Sequence, residues 1–304
     1  MSEALPLISV VIPVYNRANT LLAALQSVFD QTLQDFEIIV VDDGSSDDPE
    51  AVVRQLNDPR VRYTRQDNQG ANVARNLGIS LARGKWIALL DSDDRFLPHH
   101  LSVAYNRLKG TKSAYFSRVI VDRGNGSTFL KPPRGPKSGE PLSEYLCCDA
   151  GFVQTSTLVL PSQAAKSVQY LDWLPYGQDV DYALRLDAAG VDLVYNPNPG
   201  AVWDDVQTGK RISSASRGAI RDRWAEENRH LLTRKAYAGF RGWRSAKAYA
   251  EGGQTMTGLR LYAKAAAKGA YSPRHAARVG LQVLLAGGSY QRLVKLALKF
   301  KSAS

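Results

Sequence analysis

The chain has 304 residues, 44% of them hydrophobic, with a net charge of +10; this suits one large or two modest domains around a real core. Its apolar runs, such as VGLQVLLAGG near the C-terminus, fall far short of the roughly 20 residues a membrane-spanning helix needs. The two cysteines, Cys147 and Cys148, are adjacent, a spacing that strains a mutual disulfide and gives no metal-binding pattern, so buried or idle thiols are expected.

In chain order, the opening MSEALPLISVVIPVYN has no positively charged leader and its apolar run is cut by Pro13, so neither a signal peptide nor an anchor is expected and the cytoplasm is the expected compartment. The runs LISVVIPV (7–14), FEIIVV (36–41), VRYT (61–64) and WIALL (86–90) are short, rich in Ile and Val and nearly unbroken, as in strands buried on both faces. Helical spacing lies between them: Leu21, Leu22, Leu25, Val28 and Phe29, then Ala74, Leu77, Gly78 and Leu81. This alternation predicts an α/β, doubly wound and mostly parallel sheet. SAYFSRVIV (113–121) and TSTLVLP (155–161) read as further strands. The loop KPPRGPKSGEP (131–141) between them is long enough to be mobile or functional. After about Ser214 the chain turns helical and basic. From Asp205 onward 20 Lys+Arg stand against 5 Asp+Glu, leaving 19 against 24 before it, so the two parts face different partners.

Ligands of such sheets bind outside the carboxyl ends of the strands. There lie the polar clusters PVYN (13–16), DDGS (42–45) and DSDD (91–94). Three carboxylates in four positions repel each other unless they share something positive, and a hard divalent cation with oxygen ligands is one answer. The other is that Asp93 or Asp94 caps a helix beginning near Pro98. Histidines 99 and 100, after Pro98, read as surface residues at that helix start.

Taken together, ISVVIPVYN, VVDDGSSDD and NQGANVARNLGISLARGKWIALLDSDD resemble, in order and spacing, the inverting family 2 glycosyltransferases with the GT-A fold, over roughly the first 110 residues. The resemblance implies a GT-A domain with a nucleotide-sugar-binding half (1–110), an acceptor-binding and catalytic-base half (111–213), and a helical basic C-terminal region (214–304). It implies that Pro13 and Tyr15 line the base pocket, Asp43 accepts a hydrogen bond from the base, Arg75 reaches the nucleotide or its diphosphate, Asp91 binds the ribose or a metal-bound water, and Asp93 ligates Mn²⁺ or Mg²⁺. Asp42 more simply supports the turn containing Gly44.

The family's base sits on a short acidic motif opening a helix, usually Glu-Asp. YGQDVDYALRLDAAG (176–190) stands at that place, so Asp179 is the implied general base; Asp181, two residues on, points to another helix face. Gln178 replaces the usual Glu. Gln178, Asp42 and Trp203 are the candidates for acceptor-side or supporting roles. A second departure is PGAVWDDVQTGKRISSAS (199–216), which lacks the His that completes many relatives' metal sites; Asp204, Asp205 or water could take that place.

The implied reaction moves a sugar from a nucleotide-diphosphate donor, a UDP-sugar foremost, to a saccharide or lipid-linked saccharide, in cell-surface polysaccharide synthesis. Arg260, Lys264 and Lys268 share one helix face, as do Arg292, Lys295 and Lys299, so a solvated helical subdomain and contact with an anionic membrane both fit. Peripheral attachment to the inner face of the cytoplasmic membrane would follow from the second. Nucleic acid is not expected, because no stacking platform accompanies the charges. A nicotinamide oxidoreductase is disfavoured by VYNRANT standing where a G-x-G-x-x-G turn belongs. A catalytically degenerate scaffold on the same fold is the alternative that Gln178 and the missing His keep open.

Overall fold

The computed structural model describes residues 5–205 and 215–285. Its first part alternates β1 (Ile8–Val14), α1 (Ala18–Phe29), β2 (Phe36–Asp42), α2 (Pro49–Leu56), β3 (Val61–Arg65), α3 (Ala71–Leu81) and β4 (Trp86–Leu89). All residues of β1, β2 and β4 are buried, which is why they read as unbroken apolar runs. There follow β5 (Arg95–Phe96), α4 (His100–Leu108), β6 (Ala114–Asp122), β7 (Thr128–Lys131), α5 (Leu142–Cys148), β8 (Val159–Pro161), α6 (Ser162–Ser167), α7 (Gln178–Ala188) and β9 (Leu193–Asp204).

These strands form one sheet in the order β3-β2-β1-β4-β8-β6-β9-β5, with β7 on β6. Most paired residues lie in parallel ladders: β1 with β2 and β4, β2 with β3, and β6 with β9. The pairings of β8 with β4 and β6, of β7 with β6 and of β5 with β9 are antiparallel. The sheet is thus mixed beyond β4. One close approach sets the site: a Cβ on Gly78 would come within 2.4 Å of Val11 Cγ1, so glycine lets α3 lie directly on β1 and holds Arg75, one turn earlier, near the strand ends.

Three features differ from the sequence reading. The run 155–161 is only partly a strand: Thr155–Thr157 form a 3-10 turn and β8 is three residues long. Strand β9 was not expected, because LVYNPNPGAVWD contains two prolines. The structure seats them at a fault in the ladder, where Ser117 pairs with Asn196 but Arg118 pairs with Pro199; the slipped register spares a central strand the hydrogen bonds proline cannot donate. Finally, His100 is buried, not at the surface. It packs 4.5 Å from the Phe96 ring against a backbone so close that a Cβ on Gly200 would meet His100 Nδ1 at 2.3 Å. Burial pushes the imidazole down to about 3, so it is neutral.

By contacts the chain forms two compact units, 1–135 with 152–207 and 136–151 with 208–304. Residues 136–151 therefore go with the C-terminal helices, a division that cuts the chain differently from the three stretches read in the sequence. The second unit holds α5 and then α8 (Ala215–Glu227), α9 (Arg234–Phe240), α10 (Ala246–Glu251), α11 (Thr255–Ala267) and α12 (Pro273–Leu284). The secondary structure among its described residues is helical, as the sequence suggested for the part after about Ser214. Ala246, Ala250, Val279 and Val283 form a small core. Cys147 and Cys148 are free and buried in α5, and burial pushes both thiols up to about 12, which makes them inert. No described helix is long and apolar enough to cross a membrane.

Candidate active site

A cavity of about 350 Å³ opens at the carboxyl ends of β1, β2 and β4, lined by Pro13, Val14, Tyr15, Arg17, Asp43, Ala71, Arg75, Asp91, Ser92 and Asp93. Six of these were singled out in the sequence; the topology brings them to one place because β1 sits centrally between β2 and β4.

The two acids at the end of β2 have separate work. Asp42 is buried and accepts hydrogen bonds from Tyr63 Oη (2.7 Å), Arg65 Nη1 (2.8 Å) and Ser45 N (2.8 Å). Burial alone would raise its carboxyl, but the bonds from Ser45 and Tyr63 and the Arg65 charge hold it below the ordinary range. It is the anchor of the Gly44 turn, where φ is +79°. Asp43 faces the cavity and accepts from Gln69 N (2.9 Å), Gly70 N (2.8 Å) and Gln66 Nε2 (2.8 Å). Those bonds tie it to the loop leading into α3, and a carboxylate with about four acceptor positions keeps capacity for a ligand donor. Tyr15, at 48% exposure, presents its ring at the cavity wall.

Arg75 is not on a solvated helix face. It is 4% exposed, with Nη2 donating to Asp91 Oδ1 at 2.6 Å and Nη1 to Asn72 Oδ1 at 3.1 Å, and its guanidinium lies 5.4 Å from the Tyr170 ring centre. Asn72 is itself fixed by donating to the carbonyls of Leu171 and Leu174. Burial pulls the Arg75 guanidinium down, but Asp91, Tyr170 and Asp179 together hold it above its ordinary value, so it stays charged.

The DSDD cluster divides its labour. Asp94 is no helix cap: α4 begins at His100 after His99, without a side-chain cap. Instead Asp94 is 1% exposed, with Oδ2 accepting from Ser156 Oγ (2.6 Å) and Gln154 Nε2 (2.7 Å) and Oδ1 from Asp204 N (3.1 Å). It stitches the acidic loop to the 3-10 turn and to the end of β9. Asp93 faces the cavity, ion-paired to Arg17 at 2.6 Å. Burial, then Asp91, raises its carboxyl, Arg17 opposes this, and Asp204 adds to the rise. Arg17 is its counter-cation in this structure, and a carboxylate oxygen facing the cavity is the kind of hard donor that Mn²⁺ or Mg²⁺ takes. Among the described residues no group of three or more His, Cys, Asp or Glu converges on one point. The backbone of Asp205 donates to Asp122 O at 2.8 Å, and residues 206–214 of the His-less stretch lie outside the described residues.

Asp179 stands in the first turn of α7, whose N-cap Gly177 adopts φ +80°, and its Oδ1 accepts from the Thr155 hydroxyl. Asp181 is fully buried and ion-paired to Arg185 at 2.6 Å, so it is a structural acid. Gln178 and Asp179 are both half-buried. Trp203 stacks on Phe152 with ring centres 5.6 Å apart, and Lys131 Nζ lies 5.2 Å from the Trp203 ring. Arg17, Thr155, Gln154 and Ser156 went unnoticed in the sequence. Arg17 had a signal, a cation directly after VYN; Thr155 and Ser156 belong to a turn that looked like strand, and Gln154 precedes it.

Residues 9–154 match the family model described as "Glycosyl transferase family 2". Uncharacterized glycosyltransferases of Rickettsia felis and Rickettsia bellii are 48% and 44% identical over 97 residues, 32% of this chain, but the match spans only 16% and 14% of their own length. The amylovoran biosynthesis glycosyltransferase AmsB of Erwinia amylovora is 27% identical over 84% of this chain and 89% of its own. Among solved structures, residues 1–349 of TarS from S. aureus in complex with UDP align with TM-score 0.61 at 15% identity, covering 85% of this chain and 87% of that one. The mannosyltransferase PcManGT of Pyrobaculum calidifontis, in complex with GDP-Man and Mn²⁺, gives TM-score 0.58 at 18% identity, covering 96% and 84%.

Proposed function

We propose that the chain, whose residues 9–154 match the family 2 glycosyltransferase model and whose fold aligns with that of TarS, transfers a sugar with inversion from a nucleotide-diphosphate donor, a UDP-sugar, to a hydroxyl of a saccharide or lipid-linked saccharide. The observation that carries this reading is the cavity at the carboxyl ends of β1, β2 and β4, where Pro13, Tyr15, Asp43, Arg75, Asp91 and Asp93 meet, with Arg75 ion-paired to Asp91 at 2.6 Å. TarS in complex with UDP and PcManGT with GDP-Man and Mn²⁺ support a nucleotide-sugar donor and a divalent ion. AmsB, and the succinoglycan biosynthesis protein ExoO of Rhizobium meliloti, 44% identical over 121 residues, support a role in polysaccharide synthesis.

Each residue then has a task. Tyr15 and Pro13 flank the base, the ring offering an apolar face, and Asp43 accepts from the base edge. Asp91, held by Arg75, meets the ribose. Asp93 would hold Mn²⁺ or Mg²⁺, whose chemistry is to offset the charge of the departing diphosphate. Asp179, oriented by Thr155, takes the proton of the acceptor hydroxyl as that oxygen attacks the anomeric carbon from the face opposite the nucleotide. Gln178 and Trp203 face the acceptor side. One displacement inverts the anomeric configuration and needs no covalent intermediate.

The test is a thermal-shift series with UDP, GDP, dTDP and CDP, each with Mn²⁺ and with EDTA, followed by the anomeric configuration of any product. A metal-dependent rise for one nucleotide, as expected when a ligand binds the native state alone, supports the reading. No shift for any of them would favour the degenerate scaffold.

We also propose peripheral attachment to the inner face of the cytoplasmic membrane. Arg260 and Lys264 of α11 and Lys268, its C-cap, lie exposed, and Met256, Leu281 and Leu284 are exposed apolar residues of the same unit at 65%, 51% and 57%. Basic and apolar groups together suit an anionic lipid surface. The second basic face, Arg292, Lys295 and Lys299, lies outside the described residues. Failure to co-sediment with anionic vesicles at low salt would remove this proposal.

A further inference from the structure

The cavity has a cation of its own at the place assigned to the metal. Arg17 is the N-cap residue of α1 and does not cap it with its side chain; the first helical N–H, that of Ala18, is satisfied by Asp47 Oδ2 at 2.8 Å. The Arg17 guanidinium instead crosses to Asp93, Nη1 to Oδ2 at 2.6 Å, with its side chain 43% exposed against 27% for Asp93. Both residues line the same cavity. Arg75, the cavity's other arginine, is buried and committed to Asp91 and Asn72. Arg17 is therefore the cavity's arginine with freedom to change partner.

We infer that Arg17 is a resident counter-cation of Asp93 that a divalent metal displaces, and that the released guanidinium then takes the diphosphate of the donor. This rests on the donor-site reading above and adds a residue to it. The argument is electrostatic and steric. A hard divalent ion bonds a carboxylate oxygen at about 2.0–2.1 Å, and a guanidinium already 2.6 Å from Asp93 Oδ2 would then stand close to a second positive charge, which repels it. That repulsion favours release of the group held more loosely. The guanidinium is on a long, half-exposed side chain and leaves by rotation of its own bonds. Its fork of donors matches a phosphate as well as a carboxylate, and the diphosphate is the anion the reading brings into this cavity. Arg17 would thus make the empty site stable without metal and the loaded site selective for a nucleotide that brings its own negative charge.

The inference predicts changes of opposite sign from one substitution. In Arg17→Ala, with Arg17→Gln as a second variant, the affinity for Mn²⁺ alone, titrated by the spin-resonance signal of the free ion, should rise about tenfold. The affinity for UDP in saturating Mn²⁺, by calorimetry, should fall about tenfold, the value of roughly one charge-assisted hydrogen bond. If Mn²⁺ binds the variants no more tightly than the parent, Arg17 does not occupy the metal position and the inference falls. It falls equally if UDP affinity is unchanged, because the released guanidinium then has no diphosphate partner. Parent protein that binds Mn²⁺ but no nucleoside diphosphate would overturn the donor reading itself, an outcome distinct from either.

Discussion

The strand ends of the first unit and the helices of the second use charge in opposite ways. Around β1, β2 and β4 the charges point inward and hold one another: Asp42 with Arg65 and Tyr63, Arg75 with Asp91, Glu37 with Arg62 and Arg83, Asp94 with Gln154 and Ser156. On α11 and at its C-terminal cap, Arg260, Lys264 and Lys268 are exposed. The difference teaches that net charge says little about stability here: exposed cations such as Arg260 and Lys264 add charge without a partner to hold among the described residues, whereas inward acids are each bound to several groups of the first unit.

The sharpest way to break this contrast is at Asp179. Asp179→Asn should lower transfer by about 10²–10⁴-fold, the usual worth of a general base, while leaving the nucleotide-dependent thermal shift in place; a variant with near-parental turnover would mean the base lies elsewhere. Next in size is Asp42→Ala. It leaves the Tyr63 hydroxyl and the Ser45 amide without their acceptor and should cost about 1–3 kcal/mol in urea unfolding. A cost near zero would show that the turn does not depend on it.

The third test is pH. His100 is held neutral in the fold, its imidazole pushed from 6.5 down to about 3, so the unfolded chain takes up the proton first and stability falls as pH drops below about 6.5. The slope approaches about 1.4 kcal/mol per pH unit, and His100→Phe should flatten it. Asp42 and Glu37 act lower on the scale. Burial pushes both up, but the bonds from Ser45 and Tyr63 to Asp42, and from Ser9, Arg83 and Arg62 to Glu37, hold them below their ordinary values of 3.8 and 4.5. Their contribution is present above the carboxylate range and is lost as pH falls through it. Glu37→Gln should therefore lose stability at neutral pH yet unfold less steeply in acid. Smallest is Lys264→Glu combined with Lys268→Glu: stability should move by less than about 0.5 kcal/mol, as for exposed sites generally, while binding to anionic vesicles drops. A large loss of stability would place these lysines in the packing, against the contrast drawn above.

Much of the first unit was legible because its signals are local. Strands buried on both faces announce themselves as apolar runs, and the acids after β2 and β4 sit where such runs end, so Pro13, Tyr15, Asp43, Asp91 and Asp93 could be named in advance. β9 was missed because Pro197 and Pro199 argue against a strand unless a partner strand slips its register to receive them, and that slip is a property of two distant segments. His100 was misplaced because the ring's surroundings, Phe96 and Gly200, come from separate elements.

The sequence by itself determined the alternation of elements, the strand-end acids and the basic helical C-terminal region, since each depends on neighbours within a few residues. Only the tertiary structure decided which acid does what: Asp42 and Asp94 turned inward as anchors, Asp43 and Asp93 toward the cavity, Asp181 into an ion pair and Asp179 onto Thr155. Charge and hydrogen-bonding capacity are written in the residue, but their partners are supplied by chain segments tens of residues away.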